Sequence, residues 1–172
     1  YTTIDRTKVG LALAIGGGGV KLLEHANAFA TLLNEGERNS ISPILRIEDN
    51  RGKVLEQYQK KQERVVDEQP VRQLLSVMTD NSARAFVFGS HSPLILSDRT
   101  VAAKTGTTND FRDAWTMGGT PSLVAGVWRG NNDNSSMKSG ADGVVVAAPI
   151  WNAFLKRALQ GKPVDRFTKP EK

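Results

Sequence analysis

The sequence predicts an α+β fold, an antiparallel sheet covered by helices on both faces, and three observations predict it. Strand-like segments at about 100–108, 113–118 and 122–130 follow one another with only short turns between, at Asn109-Asp110 and Gly118-Gly119-Thr120-Pro121, so neighbouring strands must run antiparallel. The third segment is apolar on both sides: Leu123, Ala125 and Val127 alternate with Val124 and Trp128, so both faces need a cover. Helical spacing of apolar residues recurs before and after the strands, which supplies the covering layers.

Taken in order, residues 1–19 hold a short apolar piece and then the flexible run Gly16 to Gly19. Lys21 follows the glycines, but the spacing and the Ser/Thr of a phosphate-binding loop are absent. Leu22, Ala26, Phe29, Ala30 and Leu33 mark a helix to about Glu35, and Gly36 fits its C-terminal cap. His25 lies on this helix beside Glu24 and is expected to be structural or solvated rather than catalytic. Ile44 to Tyr58 predicts a hairpin turning at Asp49-Asn50-Arg51-Gly52, and residues 60–64 a charged surface connector. Asp67 is a candidate N-cap, with Pro70 in the first turn of a helix that buries Val71, Leu74, Leu75 and Met78. Residues 80–99 are expected to be irregular and 131–147 a polar, glycine-bearing loop. Pro149 opens a last helix whose buried side is expected to hold Ile150, Trp151, Phe154, Leu155 and Ala158, and Gly161 ends it. These boundaries divide the chain into a domain over 1–160 and a disordered tail over 161–172.

Composition narrows the function. The chain has 172 residues, 39% of them hydrophobic and 24% charged, which is a globular composition with room for one ordinary domain. No apolar run approaches the length of a membrane span. With no cysteine and two widely separated histidines, neither a disulfide framework nor a zinc site is expected, and no cofactor is. The net charge of +5 is spread along the chain and aromatic content is 6%, so a nucleic-acid stacking platform is not evident and no nucleic-acid partner is expected.

The chemistry concentrates in Lys104-Thr105-Gly106-Thr107-Thr108 at the end of Val101-Ala102-Ala103. On an edge strand, Thr105 and Thr107 share one face and Lys104 emerges on the other. Gly106 removes the side chain that would keep another backbone away. Such an edge suits an extended, peptide-like ligand ending in a carboxylate: the strand binds its main chain, the hydroxyls hold the carboxylate and the lysine supplies positive potential.

The run from Lys104 to Trp115, together with Leu123-Val124-Ala125-Gly126-Val127-Trp128 and Ala148-Pro149-Ile150-Trp151, resembles the transpeptidase domain of class A penicillin-binding proteins. Upstream, Leu13-Ala14-Ile15-Gly16-Gly17-Gly18 and Leu22-Leu23-Glu24-His25-Ala26 resemble that family's approach to a central helix. The resemblance spans roughly residues 5–160 and implies the C-terminal portion of a β-lactamase/transpeptidase-like domain, incomplete in this chain. It implies serine acyl transfer that cross-links peptidoglycan, with D-Ala-D-Ala stem peptides and β-lactams as ligands. Lys104, Thr105, Gly106, Thr107 and Thr108 would form the substrate and penicillin site, and the Thr107 N–H would complete the oxyanion hole. The family's Ser-x-x-Lys and Ser-x-Asn elements precede Lys-Thr-Gly, so no catalytic residue is expected within this chain, and the serine and base lysine are expected upstream of Tyr1. Ser135-Ser136-Met137-Lys138 has the right letters on the wrong side of the motif and is read as a decoy. The missing N-terminal part of the domain is then an expected partner. The location implied is the extracytoplasmic face of the bacterial cytoplasmic membrane, anchored through a segment not in this chain. Asp113 is expected to pair with Arg112 at the surface, and Trp115, Trp128 and Trp151 to be core aromatics. A D,D-carboxypeptidase or β-lactamase and a non-catalytic penicillin- or peptide-binding domain remain the alternatives.

Overall fold

The computed structural model describes residues 1–171. The sheet is the central layer: β5 (Ala102–Thr107), β6 (Asp113–Thr120) and β7 (Leu123–Gly130) pair antiparallel in the order β5-β6-β7. The register sets Lys104 opposite Met117, Gly106 opposite Trp115, and Trp115 opposite Trp128. The β6–β7 turn is shorter than the sequence implies, since Thr120 pairs with Leu123 and leaves Pro121-Ser122 as the loop. Gly118 and Gly119 therefore lie inside the strand. A Cβ on Gly118 would lie 2.0 Å from the Ala102 carbonyl oxygen, and its φ is +138°, so only glycine lets β5 approach there.

Both faces are covered, as the alternation in β7 requires. Leu123, Ala125 and Val127 pack toward α5 (Ala148–Ala158), where Trp151 and Leu155 are fully buried. Val124 packs with Phe29, Leu32 and Leu33 of α2 (Leu22–Leu33) and with Val71 and Leu75 of α3 (Glu68–Met78). Gly36 ends α2 with φ +87° and its N–H on the Thr31 carbonyl. Asp67 occupies the N-cap of α3, but its side chain makes no capping bond.

Several expectations are corrected. The segment 60–64 is not a loose connector: β4 (Gln62–Arg64) pairs antiparallel with β1 (Glu37–Asn39), and Arg38–Glu63 and Arg64–Glu37 ion pairs cross it at 2.7 and 3.2 Å. Beyond this stem the predicted hairpin is present as β2 (Arg46–Glu48) and β3 (Val54–Gln57), with Gly52 at φ +80° in its turn. Within 80–99, α4 (Asn81–Phe88) forms because the Asp80 carboxylate accepts from the N–H groups of Ser82 and Ala83. Residues Gly143–Ala147 form a π-helical turn against the sheet rather than a free loop. Ile150 and Phe154 of α5 face outward, 52% and 53% exposed. The helix is rotated so that Asn152 is buried instead, donating to the carbonyls of Pro93 and Ile95.

At the start of the chain, Asp5 caps the single turn α1 (Arg6–Val9), and a 3₁₀ stretch, Gly10–Ile15, leads into the glycine run. At the other end, residues 163–171 have no helix or strand. The Arg99 guanidinium donates to the carbonyls of Leu159, Lys162 and Pro163, and Phe167 packs on the Leu33–Val71–Leu75 cluster. The last residue of the tail expected from 161, Lys172, lies outside the described residues. No helix among the described residues is long and apolar enough to cross a membrane.

Candidate functional site

Strand β5 has β6 on one side only, so its other edge is open. The Thr108 N–H donates to the Asp113 carbonyl at 3.0 Å, continuing the β5–β6 ladder by one pair. Antiparallel pairing alternates, so Ala102, Lys104, Gly106 and Thr108 turn their N–H and C=O groups toward β6. Ala103, Thr105 and Thr107 turn theirs outward. Two side chains that reach the edge agree with this: Lys104 Nζ donates to the Thr105 carbonyl at 2.6 Å, and Arg84 of α4 donates to the Ala103 carbonyl at 3.3 Å. Arg84 therefore occupies the inner end of the edge and Lys104 the Thr105 carbonyl, leaving the Thr105 N–H and the Thr107 N–H and C=O on the side that β6 does not cover.

This edge opens on a cleft of about 640 Å³. All five residues from Lys104 to Thr108 line it, with Asp113, Trp115 and Met117 from β6, His25 and Phe29 from α2, and the glycine run Gly16 to Gly19 opposite. A Cβ built on Gly106 meets only the Trp115 Cβ at 3.5 Å, an ordinary contact. Packing does not demand glycine here, in contrast to Gly118; the space in front of Gly106 belongs to the cleft.

The floor is aromatic. Trp115 meets His25 edge-on at 5.7 Å and Trp128 at 6.5 Å, and His25 meets Phe29 edge-on at 5.1 Å. Burial pushes the His25 imidazole below its ordinary value, and Tyr1 Oη lies 2.8 Å from its Nδ1. His25 is thus a packed, hydrogen-bonded histidine.

Asp113 corrects a sequence expectation. It does not pair with Arg112, whose guanidinium donates to the Asn134 carbonyl and lies 3.9 Å from Asp110. The Asp113 carboxylate accepts from Thr108 Oγ1 at 2.9 Å and from Trp128 Nε1 at 2.8 Å. It therefore ties the outer end of β5 to β7. Trp128, expected in the core, is 36% exposed and held by this bond, whereas Trp151 is fully buried. Ser135 stands apart from the cleft, its hydroxyl donating to Asp133 at 2.7 Å.

Two residues that sequence reasoning passed over also touch the site. Gly143 donates its N–H to Thr107 Oγ1 at 3.1 Å and accepts from the buried Thr116 Oγ1 at 3.1 Å. Nothing local in a Gly/Ser/Asn-rich stretch marks Gly143 out, because its partners lie 27 and 36 residues away.

The geometry has close parallels. The family model for the penicillin binding protein transpeptidase domain matches residues 6–156. Penicillin-binding protein 1A of Aquifex aeolicus is 33% identical over 171 residues, covering 97% of this chain and 22% of the relative. The PonA1 protein of Mycobacterium tuberculosis, solved in complex with penicillin V, superposes with a TM-score of 0.80 at 24% identity over 94% of this chain and 44% of that one. Penicillin-binding protein 1A of Haemophilus influenzae superposes with a TM-score of 0.80 at 25% identity over 98% of this chain and 31% of that one. The chain spans about a fifth of the length of the curated relatives it matches.

Proposed function

This chain belongs to the penicillin-binding protein transpeptidase family, as part of such a domain, and from that premise we propose that its β5 edge is the donor site of a serine D,D-transpeptidase that cross-links peptidoglycan. A serine from the part of the domain outside this chain attacks the peptide bond between the two terminal D-alanines, D-alanine leaves, and the acyl group passes to an amine of a neighbouring stem peptide. The observation that carries the proposal is the outer edge of β5, where the backbone groups of Thr105 and Thr107 turn away from β6 beside a cleft that both residues line and a glycine that packing does not require.

Each side chain then has a role. The Thr107 N–H, on the outward-facing edge, donates to the oxyanion together with the N–H of the absent serine; one such donor is worth roughly 3 to 4 kcal/mol. The Thr105 and Thr107 hydroxyls bind the donor carboxylate, and Lys104 supplies positive charge at the same edge and biases the serine–lysine proton network. Gly106 admits the ligand backbone. Thr108 is held by Asp113 and serves the geometry of the strand end. β-Lactams are proposed to occupy the same edge as donor mimics; a protein of this fold, PonA1, has been solved in complex with penicillin V. We further propose that the protein works on the extracytoplasmic side of the cytoplasmic membrane, held by a segment outside this chain.

Fluorescent penicillin labelling followed by intact mass, on this chain and on its longest available parent protein, tests the proposal. Covalent label on the parent alone is the expected result. Label on Ser135 of the 172-residue chain contradicts the assignment of the nucleophile, and reversible binding without adduct by the parent favours a non-catalytic binding domain.

A further inference from the structure

The π-helical turn after the third strand is tied to the candidate site by two threonines that the proposed reaction does not otherwise link. Thr116, on β6 and fully buried, donates its hydroxyl to the Gly143 carbonyl. That carbonyl also accepts from the Ala148 N–H that closes the turn. The Gly143 N–H in turn donates to Thr107 Oγ1. A Cβ on Gly143 would lie 2.4 Å from the Trp115 carbonyl oxygen and 2.7 Å from that of Gly106, so its backbone lies directly on the β5–β6 ladder.

A threonine hydroxyl has one proton to donate and lone pairs to accept with. With Gly143 N–H held on its oxygen, the Thr107 hydroxyl is an acceptor toward the turn, and its proton remains for another partner. We infer that Gly143 and Thr116 are positioning residues: Thr116 fixes the Gly143 peptide, and the Gly143 N–H fixes Thr107 as a hydrogen-bond donor to a ligand carboxylate. This rests on the proposed donor site. A hydroxyl that accepts one hydrogen bond donates a stronger one, because the two dipoles polarise each other. Thr116 acts without touching ligand, through one peptide and one hydroxyl.

The test is a cycle in the full-length protein. Second-order acylation rates are measured for benzylpenicillin, which carries the carboxylate, and for its methyl ester, which does not. Thr116→Val keeps the shape and removes the donor, Thr116→Ser keeps the donor, and Thr107→Val removes the hydroxyl that the relay serves. The expected result is a loss of roughly tenfold with the acid for Thr116→Val, little change with the ester, recovery in Thr116→Ser, and no additional acid-specific loss when Thr116→Val is placed on Thr107→Val. Equal losses with acid and ester, or full additivity with Thr107→Val, would overturn the relay and assign Thr116 to folding alone. Should the valine variant not fold, Thr116→Ala carries the same comparison. Wild-type protein that forms no adduct with either compound would instead overturn the donor-site proposal beneath it.

Discussion

Gly106 separates ligand space from packing space most sharply. Alanine there meets only one ordinary contact, and glycine within a strand costs roughly 0.5 to 1 kcal/mol relative to alanine, so Gly106→Ala is expected to leave thermal stability unchanged or slightly raised. The same methyl occupies the ligand's path, and forcing it into filled space predicts a fall of about tenfold or more in penicillin acylation of the parent. Loss of stability together with activity would contradict this. Asp113 makes the opposite case, since its role is structural and reaches the site only through Thr108. Asp113→Ala removes two side-chain bonds and is expected to cost about 1 to 2 kcal/mol by urea denaturation. Asp113→Asn, which keeps an acceptor for Trp128 Nε1, is expected to recover most of it. The sequence announced Lys104 to Thr108 because cation, hydroxyls and glycine adjoin in one strand. It did not announce the Asp113 partners, because Trp128 is on the next strand and Arg112, adjacent in sequence, points to Asn134.

At the level of elements, α2 supplies the cleft with a histidine whose burial has a consequence for pH. The folded chain holds His25 below its ordinary value, so as pH falls the unfolded chain takes up the proton first. The stability involved is fully present above about pH 6.5 and declines as pH drops from there. Glu35 behaves separately: the Arg72 hydrogen bond, then Thr168, holds its carboxyl below the usual range, and its contribution is lost only in more acid solution. Urea denaturation at pH 7.5 and 5.5 is expected to show a stability loss that His25→Phe flattens; an unchanged slope would contradict the burial of the imidazole. The elements legible in the sequence were those with regular apolar spacing or clear turn signals, namely α2, α3, the β2–β3 hairpin, the three strands β5, β6 and β7, and α5. Those that were missed are held by long-range or polar bonds. The strands β1 and β4 carry charged and amide side chains with no apolar alternation, bonded to each other across 25 or more residues, α4 depends on its Asp80 cap, and the rotation of α5 follows from Asn152 reaching Pro93 and Ile95.

Across the whole molecule, the sheet and its two covers are complete enough to shape the cleft, but large apolar side chains remain outside them. Leu11, Ile15 and Phe86 are 90% exposed or more, and Val87 is 70% exposed on the same helix as Arg84. Such surface near a binding cleft marks an interface, and the proposal is that the remainder of the transpeptidase domain covers it. The isolated 172-residue chain is therefore expected to bind a hydrophobic dye and to self-associate; a dye-free monomer with a cooperative melt would contradict this. The open edge of β5 is proposed to receive the donor. A crystal structure of the parent protein acylated by a penicillin tests it most directly. The acyl oxygen is expected within roughly 3 Å of the Thr107 N–H and the carboxylate within the same reach of the Thr105 and Thr107 hydroxyls. An adduct whose acyl oxygen and carboxylate lie away from that edge would contradict it.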